Sequence, residues 1–384
     1  MKYTSSIHID RDALRFNIEF LQKEMGEGVL VSSVVKGNAY GHDIETFVPL
    51  AEECGIRHFS VFSAHEAQRV HKSLKEPFPI MIMGAIEDEK LEWAIQHGIE
   101  FFVFSQDRLL AAIEIAKHLQ KKALVHIELE TGMNRTGFDK SALLDTVIPF
   151  LIKHQEHYML KGICTHFAGA ETFSNLIRIE EQKRAFLMLR KLFLDKGLRP
   201  AYTHTCCSAA SIRLPDMRFN MVRIGIMQYG FWPSQEIKIE YLRSRKLNDF
   251  KLHRVLSWTT ELMAVKKVKE DEYIGYGSTY RASRDMLIGI VPVGYANGYS
   301  RELSNAGRAI VNQTRTGVIG MVNMNSLALD LTEVNDPKPG DEVILIGEKG
   351  ELEITVGSFS ESANQLNYES LTRLPEDIPR LVIG

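Results

Sequence analysis

Five short clusters carry the residue types from which a catalytic site could be assembled. The first is Lys36, directly after Val34-Val35 and followed by Gly37-Asn38-Ala39-Tyr40-Gly41-His42. The second runs from Glu128-Leu129-Glu130 into Thr131-Gly132-Met133-Asn134-Arg135. Thr165-His166-Phe167, Thr203-His204-Thr205-Cys206-Cys207-Ser208 and Arg223-Ile224-Gly225-Ile226 complete the set. A lysine at the end of a buried strand is desolvated, which favours its neutral, nucleophilic amine. Ser208 and the backbone N–H groups at Gly225-Ile226 suit a phosphate. Arg135 and Arg223 add fixed positive charge. A nucleophilic amine, a phosphate cradle and two arginines point to an aldehyde cofactor with a phosphate tail, pyridoxal 5'-phosphate (PLP), held through a Schiff base.

Each of these residues also has an ordinary structural reading. A lone lysine is usually a solvated surface group. A histidine at a strand end more often packs or hydrogen-bonds than acts as a base. Arginines form structural ion pairs, and Cys206 and Cys207 read as small hydrophobes. Phe101, Phe102 and Phe104 read as core. The clusters gain weight together, because all five lie at the carboxyl ends of expected strands.

Eight apolar runs supply those strands: 29–35, 58–63, 79–84, 99–105, 123–130, 158–167, 201–206 and 220–226. They are rich in Val, Ile and Phe and often continuous, as strands buried on both faces are. Helical patterns such as LEWAIQHG, QDRLLAAIEIAKHLQ, SALLDTVIPFLIKH and LIRIEEQKRAFLMLRKLFLDKG lie between most of them. This alternation predicts an α/β fold, a (β/α)8 TIM-type barrel over residues 1–240. SAASIRLPDMRF, before the eighth strand, is short for a crossover helix, and a doubly wound open sheet is the competing fold. From 241 to 384 the runs are separated by Gly, Asn and Pro, with helical periodicity scarce until SFSESANQL, which predicts a mainly β C-terminal domain. In a barrel, all five clusters meet at the carboxyl face, where barrel enzymes place their chemistry.

The same residues resemble the PLP-lysine motif and its companions in the alanine racemases, the fold-type III PLP enzymes. Val35-Lys36-Gly37-Asn38-Ala39-Tyr40-Gly41-His42 carries the first match. Thr131 to Arg135, His166-Phe167-Ala168 and Arg223 to Ile226 continue it. In the second domain it includes Gly275-Tyr276-Gly277-Ser278-Thr279-Tyr280, Pro292 to Tyr299, Gly320-Met321-Val322-Asn323-Met324 and Tyr368. The resemblance implies that Lys36 binds PLP and is one catalytic base. It implies that Tyr276, lent by a partner subunit of a homodimer, is the opposite base. Arg223 would face the pyridine nitrogen and His166 would lie near the cofactor ring. Tyr40, Ser208, Gly225, Ile226 and Tyr368 would hold the phosphate. Arg135 and the partner's Met324 would hold the substrate carboxylate. Two bases on opposite faces of the substrate Cα are what racemisation of an amino acid, alanine first, requires.

Four positions depart from the family pattern. Glu128 stands where many members have a lysine, often carbamylated, and a direct charge-assisted hydrogen bond from Arg135 to Glu128 is expected in its place. Cys207 replaces an asparagine, and Asn297 and Asn325 replace aspartates. A fold-type III PLP enzyme with another outcome is the alternative: a broad-specificity racemase, an aminotransferase or an aldolase. A non-catalytic PLP carrier would need neither Tyr276 nor the second domain.

Composition excludes other classes. Lys plus Arg is 46 against 49 Asp plus Glu, a net charge of −3, which provides no basic field for nucleic acid. No apolar run approaches the length that spans a bilayer, and the N-terminus lacks the apolar stretch of a secretion signal. The four cysteines follow no disulfide or zinc spacing. The chain therefore reads as cytoplasmic, reduced and metal-free.

Overall fold

The structure, a computed structural model, describes residues 3–358 and 367–384. The chain divides into two compact units. One comprises Ala13–Lys36 and Phe47–His253. The other comprises Met1–Asp12, Gly37–Thr46 and Arg254–Gly384.

The chain opens on β1 (Ser5–Asp10), which belongs to the second unit. The first unit is built on β2 (Leu30–Val34), β3 (Phe59–Val61), β4 (Ile80–Ile82), β5 (Glu100–Val103), β6 (Ala123–Glu128), β7 (Tyr158–Cys164), β8 (Tyr202–His204) and β9 (Met221–Ile224). All are parallel, in the order β8-β7-β6-β5-β4-β3-β2-β9. The ladder of β2 with β9 bends the row into a barrel. At the last seam the Arg223 N–H donates to the Cys206 carbonyl over 2.9 Å. The expected barrel is thus present, nearly closed, and the open-sheet reading falls because β9 returns to β2. The short crossover before β9 is a helix of six residues, Ser208–Arg213, and one 3₁₀ turn, Pro215–Met217. Strands β3, β4 and β5 are buried along their whole length, as helices on one side and barrel interior on the other require. Helix starts follow local chemistry: Ser63 and Glu66 form a capping box, and Ser105 accepts from the Arg108 N–H.

The second unit is mainly β, as expected. It contains β10 (Leu256–Glu261), β11 (Ala264–Val268), β12 (Met286–Val291), β13 (Arg308–Val311), β14 (Thr314–Ile319), β15 (Leu327–Asp330), β16 (Glu342–Lys349), β17 (Leu352–Ile354) and β18 (Arg380–Ile383). With β1 they form one sheet, β11-β12-β15-β14-β13-β16-β10-β1-β18, with β17 on β16. The division differs from a single cut at residue 240 for a physical reason. β1 pairs antiparallel with β10 and parallel with β18, so the N-terminal strand lies inside the second sheet, one strand from its edge. The helix Gln235–Arg245, which spans residue 240, stays with the barrel. The helical reading of SFSESANQL falls, from residue 359 on, outside the described residues. No helix among the described residues is long and apolar enough to cross a membrane.

Immediately after Lys36 the backbone turns left-handed. Gly37, Asn38, Ala39, Tyr40 and Gly41 have φ of 63°, 53°, 52°, 52° and 79°. Left-handed geometry costs roughly 1–2 kcal/mol for each residue with a Cβ. Local bonds offset this. The Ile44 N–H donates to Asn38 Oδ1 over 3.1 Å, and His42 Nδ1 lies 3.1 Å from the carbonyls of both Ala39 and Tyr40. Carbonyls only accept, so Nδ1 carries a proton. Arg380 Nη2 donates to the Gly41 carbonyl over 2.9 Å.

His42 is fully buried, and burial pushes its pKa down from 6.5 to about 3. The unfolded chain therefore binds a proton below pH 6.5 that the folded chain refuses. Stability present above 6.5 is lost as pH falls toward 3, by about 1.4 kcal/mol per pH unit from this group. His42→Gln keeps a donor and removes the titration. Its Tm should fall less steeply between pH 6.5 and 4.5 than that of the wild type. Parallel Tm–pH curves would show that His42 does not titrate this way.

Candidate active site

The barrel unit gathers Lys36, Glu128, Arg135, His166, Ser208, Arg223, Gly225 and Ile226 at the carboxyl ends of its strands. Lys36 follows β2, Glu128 ends β6, and His166 and Ser208 lie just beyond β7 and β8. Lys36 is reached by solvent, yet the protein packed around its stem desolvates the amine and holds it below the ordinary lysine pKa; the positive charge of Arg135 adds to this, and Arg223 gives a smaller push. Glu66 partly opposes them. His166 is pushed down to about 3 by burial and by Arg223, Arg135 and Lys36, so its ring is neutral. A site with three cationic side chains and a neutral imidazole suits an anionic ligand.

Arg223 is anchored from β9. Its Nη1 donates to both the ring Nδ1 and the carbonyl of His204, the latter over 3.0 Å. Its Nη2 donates to the Thr165 carbonyl over 2.8 Å, and Phe102 lies 5.9 Å beneath the guanidinium. Of five N–H groups, three are used, leaving the Nε–H and one on Nη2. Ser208 Oγ accepts from the Gly225 N–H over 3.0 Å, tying the start of the helix Ser208–Arg213 to the start of the turn Ile226–Tyr229. Two sets of helix-start amides thus adjoin one hydroxyl, a phosphate cradle in its chemistry. An accessible amine with lowered pKa, this cradle and an arginine with donors in reserve fit PLP: Lys36 for the aldehyde, Ser208, Gly225 and Ile226 for the phosphate, Arg223 for the ring nitrogen.

In the other unit, Tyr40 is buried and stacks obliquely on Tyr368, ring centroids 5.9 Å apart. Tyr276 and Met324 are 76% and 56% exposed. The Tyr295 and Ala296 N–H groups donate to the carbonyls of Asn323 and Met324, so the 294–299 and 321–326 loops are stitched together. Asn297 Oδ1 accepts from the Gly294 N–H over 3.1 Å, a turn-closing role that an aspartate oxygen fills equally well. Asn325 is exposed.

The sequence matches the family description "Alanine racemase, N-terminal domain" over residues 9–233 and "Alanine racemase, C-terminal domain" over residues 255–382. The chain belongs to the alanine racemase family. An alanine racemase of Leptospira interrogans is 33% identical, covering 99% of this chain and 96% of its own. One from Clostridium tetani is 30% identical over 98% and 94%. The crystal structure of an alanine racemase from Bacillus anthracis with bound L-Ala-P superposes with a TM-score of 0.91 at 29% identity, covering 100% of this chain and 96% of that one.

Within this family member, one expected contact is absent. No ion pair within 4.0 Å joins Glu128 to Arg135 among the described residues. Glu128 is buried, and Arg135 is exposed. Burial raises the Glu128 pKa, while Thr136 and then the charges of Arg135 and Arg223 oppose that rise. The sequence set both residues beside the same strand end, but Glu128 closes β6 as a buried side chain while Arg135 lies exposed in the following loop. Two contributors carried no assignment from the sequence. Gln182, in the helix Leu176–Asp195, donates to the His166 carbonyl over 3.0 Å and accepts from the Ala168 N–H over 2.9 Å. His204 was read only as part of a strand end. Both are polar residues on buried faces, and that is the signal that marks them.

Glu128→Gln keeps the shape but removes an anion that lies in the field of Arg135 and Arg223. Apparent kcat/KM should fall by about 1–3 kcal/mol, from roughly fivefold to 150-fold, with cofactor content unchanged. Added bicarbonate should leave wild-type activity unaltered. Wild-type kcat/KM in the variant would remove Glu128 from the site.

Proposed function

We propose that this chain interconverts L- and D-alanine as a cytoplasmic homodimer with PLP as cofactor, using Lys36 and Tyr276 of the partner subunit as bases on opposite faces of the substrate. The observation that carries this reading is the Lys36 amine, solvent-accessible at the end of β2 yet held below the ordinary lysine pKa by desolvation and by Arg135 and Arg223, with a neutral His166 nearby, in a chain that matches the racemase family along its whole length. PLP, when bound, supplies the electron sink that acidifies the substrate Cα–H.

The chain's own groups do the rest. A lysine with lowered pKa spends more time neutral, so its Nζ can bind the aldehyde and accept a proton near neutral pH. Arg223 cannot lose its proton and presents its remaining donors to the ring nitrogen. Ser208, Gly225 and Ile226 would hold the phosphate, and the family resemblance assigns Tyr40 and Tyr368 to the same group. Arg135 binds the substrate carboxylate, with the partner's Met324 beside it. Exposure of both Tyr276 and Met324, on loops of the β unit, supports their use by a second subunit. All four cysteines are free thiols, which suits a reducing compartment.

Borohydride reduction of the holoenzyme should fix the cofactor to the peptide carrying Lys36, read by mass spectrometry. An adduct on another lysine would refute the assignment. Subunit exchange between inactive Lys36→Ala and Tyr276→Phe chains should restore activity, with at most one intact site per mixed dimer. Mixed dimers that form and stay inactive would exclude a shared site.

A further inference from the structure

Behind Arg223 the barrel interior holds a line of polar side chains in a region otherwise filled by apolar ones. His204 Nε2 lies 2.8 Å from His126 Nδ1, and His126 Nε2 lies 2.8 Å from Glu100 Oε2. His58 Nε2 is 3.3 Å from the same oxygen, and Lys161 Nζ is 2.8 Å from Glu100 Oε1. His58 Nδ1 meets Ser32 Oγ at 2.8 Å. All three imidazoles are fully buried, Glu100 is 1% exposed, and the Lys161 side chain is 18% exposed. The line descends from the end of β8 through the middle of β6 to the first residue of β5.

Counting protons fixes its direction. Arg223 can only donate, so His204 Nδ1 must be an acceptor. His204 then carries its proton on Nε2 and donates to His126 Nδ1. His126 carries its proton on Nε2 and donates to Glu100, which as a carboxylate can only accept. A second proton on either ring would set two donors face to face. Burial lowers the pKa of both His126 and His204, in agreement with two neutral rings.

The backbone makes room for this line. Gly162 on β7 is the register partner of His126. A Cβ there would sit directly against His126 Nδ1 and 3.0 Å from His204 Nε2, at the joint between the two rings.

We infer that Glu100, His126 and His204 are positioning residues for Arg223, a one-way donor chain whose carboxylate end holds His204 in the tautomer that receives the guanidinium. If Glu100 loses its charge, the chain can run in reverse. His204 Nδ1–H then faces the Arg223 N–H groups and the guanidinium loses its seat. The consequence for the cofactor rests on the PLP reading above. A displaced Arg223 no longer governs the ring nitrogen, so more turnovers end in transamination: the amino group of alanine stays on the cofactor, which is reduced to its amine form, and alanine leaves oxidised as its 2-oxo acid.

Neutron diffraction on the wild-type holoenzyme should place a deuteron on Nε2 and none on Nδ1 of both His126 and His204. A deuteron on either Nδ1 overturns the chain whether or not any variant folds. Glu100→Gln and Gly162→Ala, each checked for folding by thermal melt, should raise the fraction of cofactor converted to the amine form per racemisation turnover by about tenfold or more. The pH dependence of the bound cofactor's visible band should shift with it. A merely structural network would lower Tm and leave both quantities unmoved, and that result in a folded variant would overturn the positioning role. A wild-type protein that binds no PLP would instead sink the functional reading and leave the proton assignment standing.

Discussion

A guanidinium that cannot deprotonate, buried inside a parallel barrel, constrains much of what surrounds it. Arg223 is 5% exposed and must find neutral acceptors on every inward N–H. It takes them from Thr165 and His204, at the ends of β7 and β8, while itself standing on β9. Those three strands must therefore be neighbours with their carboxyl ends level. Barrel closure then does the chemical work. β9 pairs with β2 in a register that sets Arg223 opposite Ser32, four residues before Lys36. An open sheet would leave β2 and β9 on separate edges, and the amine would lose the positive neighbours that lower its pKa. Gln228 reinforces the seam by donating to the carbonyls of Val34 and Ile224 over 3.1 and 3.2 Å.

The lysine end obeys a second constraint. Clustered Lys36, Arg135 and Arg223 repel one another, with Glu66 partly opposing them at Lys36 and Glu128 lying in the field of both arginines. Such a site is least stable when empty and gains most from an anion. The left-handed run after Lys36 is a further cost of the same kind at Ala39 and Tyr40, where residue preference opposes it and the bonds of Asn38, His42 and Arg380 maintain it. Strain and like charge collected around one amine are signs of a place shaped for a ligand rather than for the stability of the fold.

Much of this was legible in the sequence. The eight strands of the barrel fall within the apolar runs, and the five chemical clusters fall at their carboxyl ends, because burial on both faces writes a continuous apolar signal. Less legible was anything needing side-chain direction or long-range pairing. β1 alternates buried and half-buried residues over Ser5–Asp10, yet its partners, β10 and β18, are some 250 and 370 residues away. The Glu128–Arg135 contact failed because loop spacing says nothing about which way an arginine turns. Glu100 and His126 were hidden inside runs read as apolar. Their mark is polarity where a two-sided buried strand has no solvent face to offer it.

The position of the anion is the last feature that the barrel explains. A carboxylate placed directly on Arg223 would hold it as firmly as His204 does, and would also cancel the positive field it casts into the barrel mouth. Two unit charges 4 Å apart attract by about 4 kcal/mol at an effective dielectric constant of 20, and by about a third of that at three times the distance. Interposing two neutral imidazoles moves the compensating charge to Glu100, near the far end of the barrel, where Lys161 balances it. Arg223 keeps the geometric anchor and most of its positive potential. Hydrogen-bond direction travels along such a chain with little loss, whereas charge does not, so the arginine is fixed in place without being neutralised.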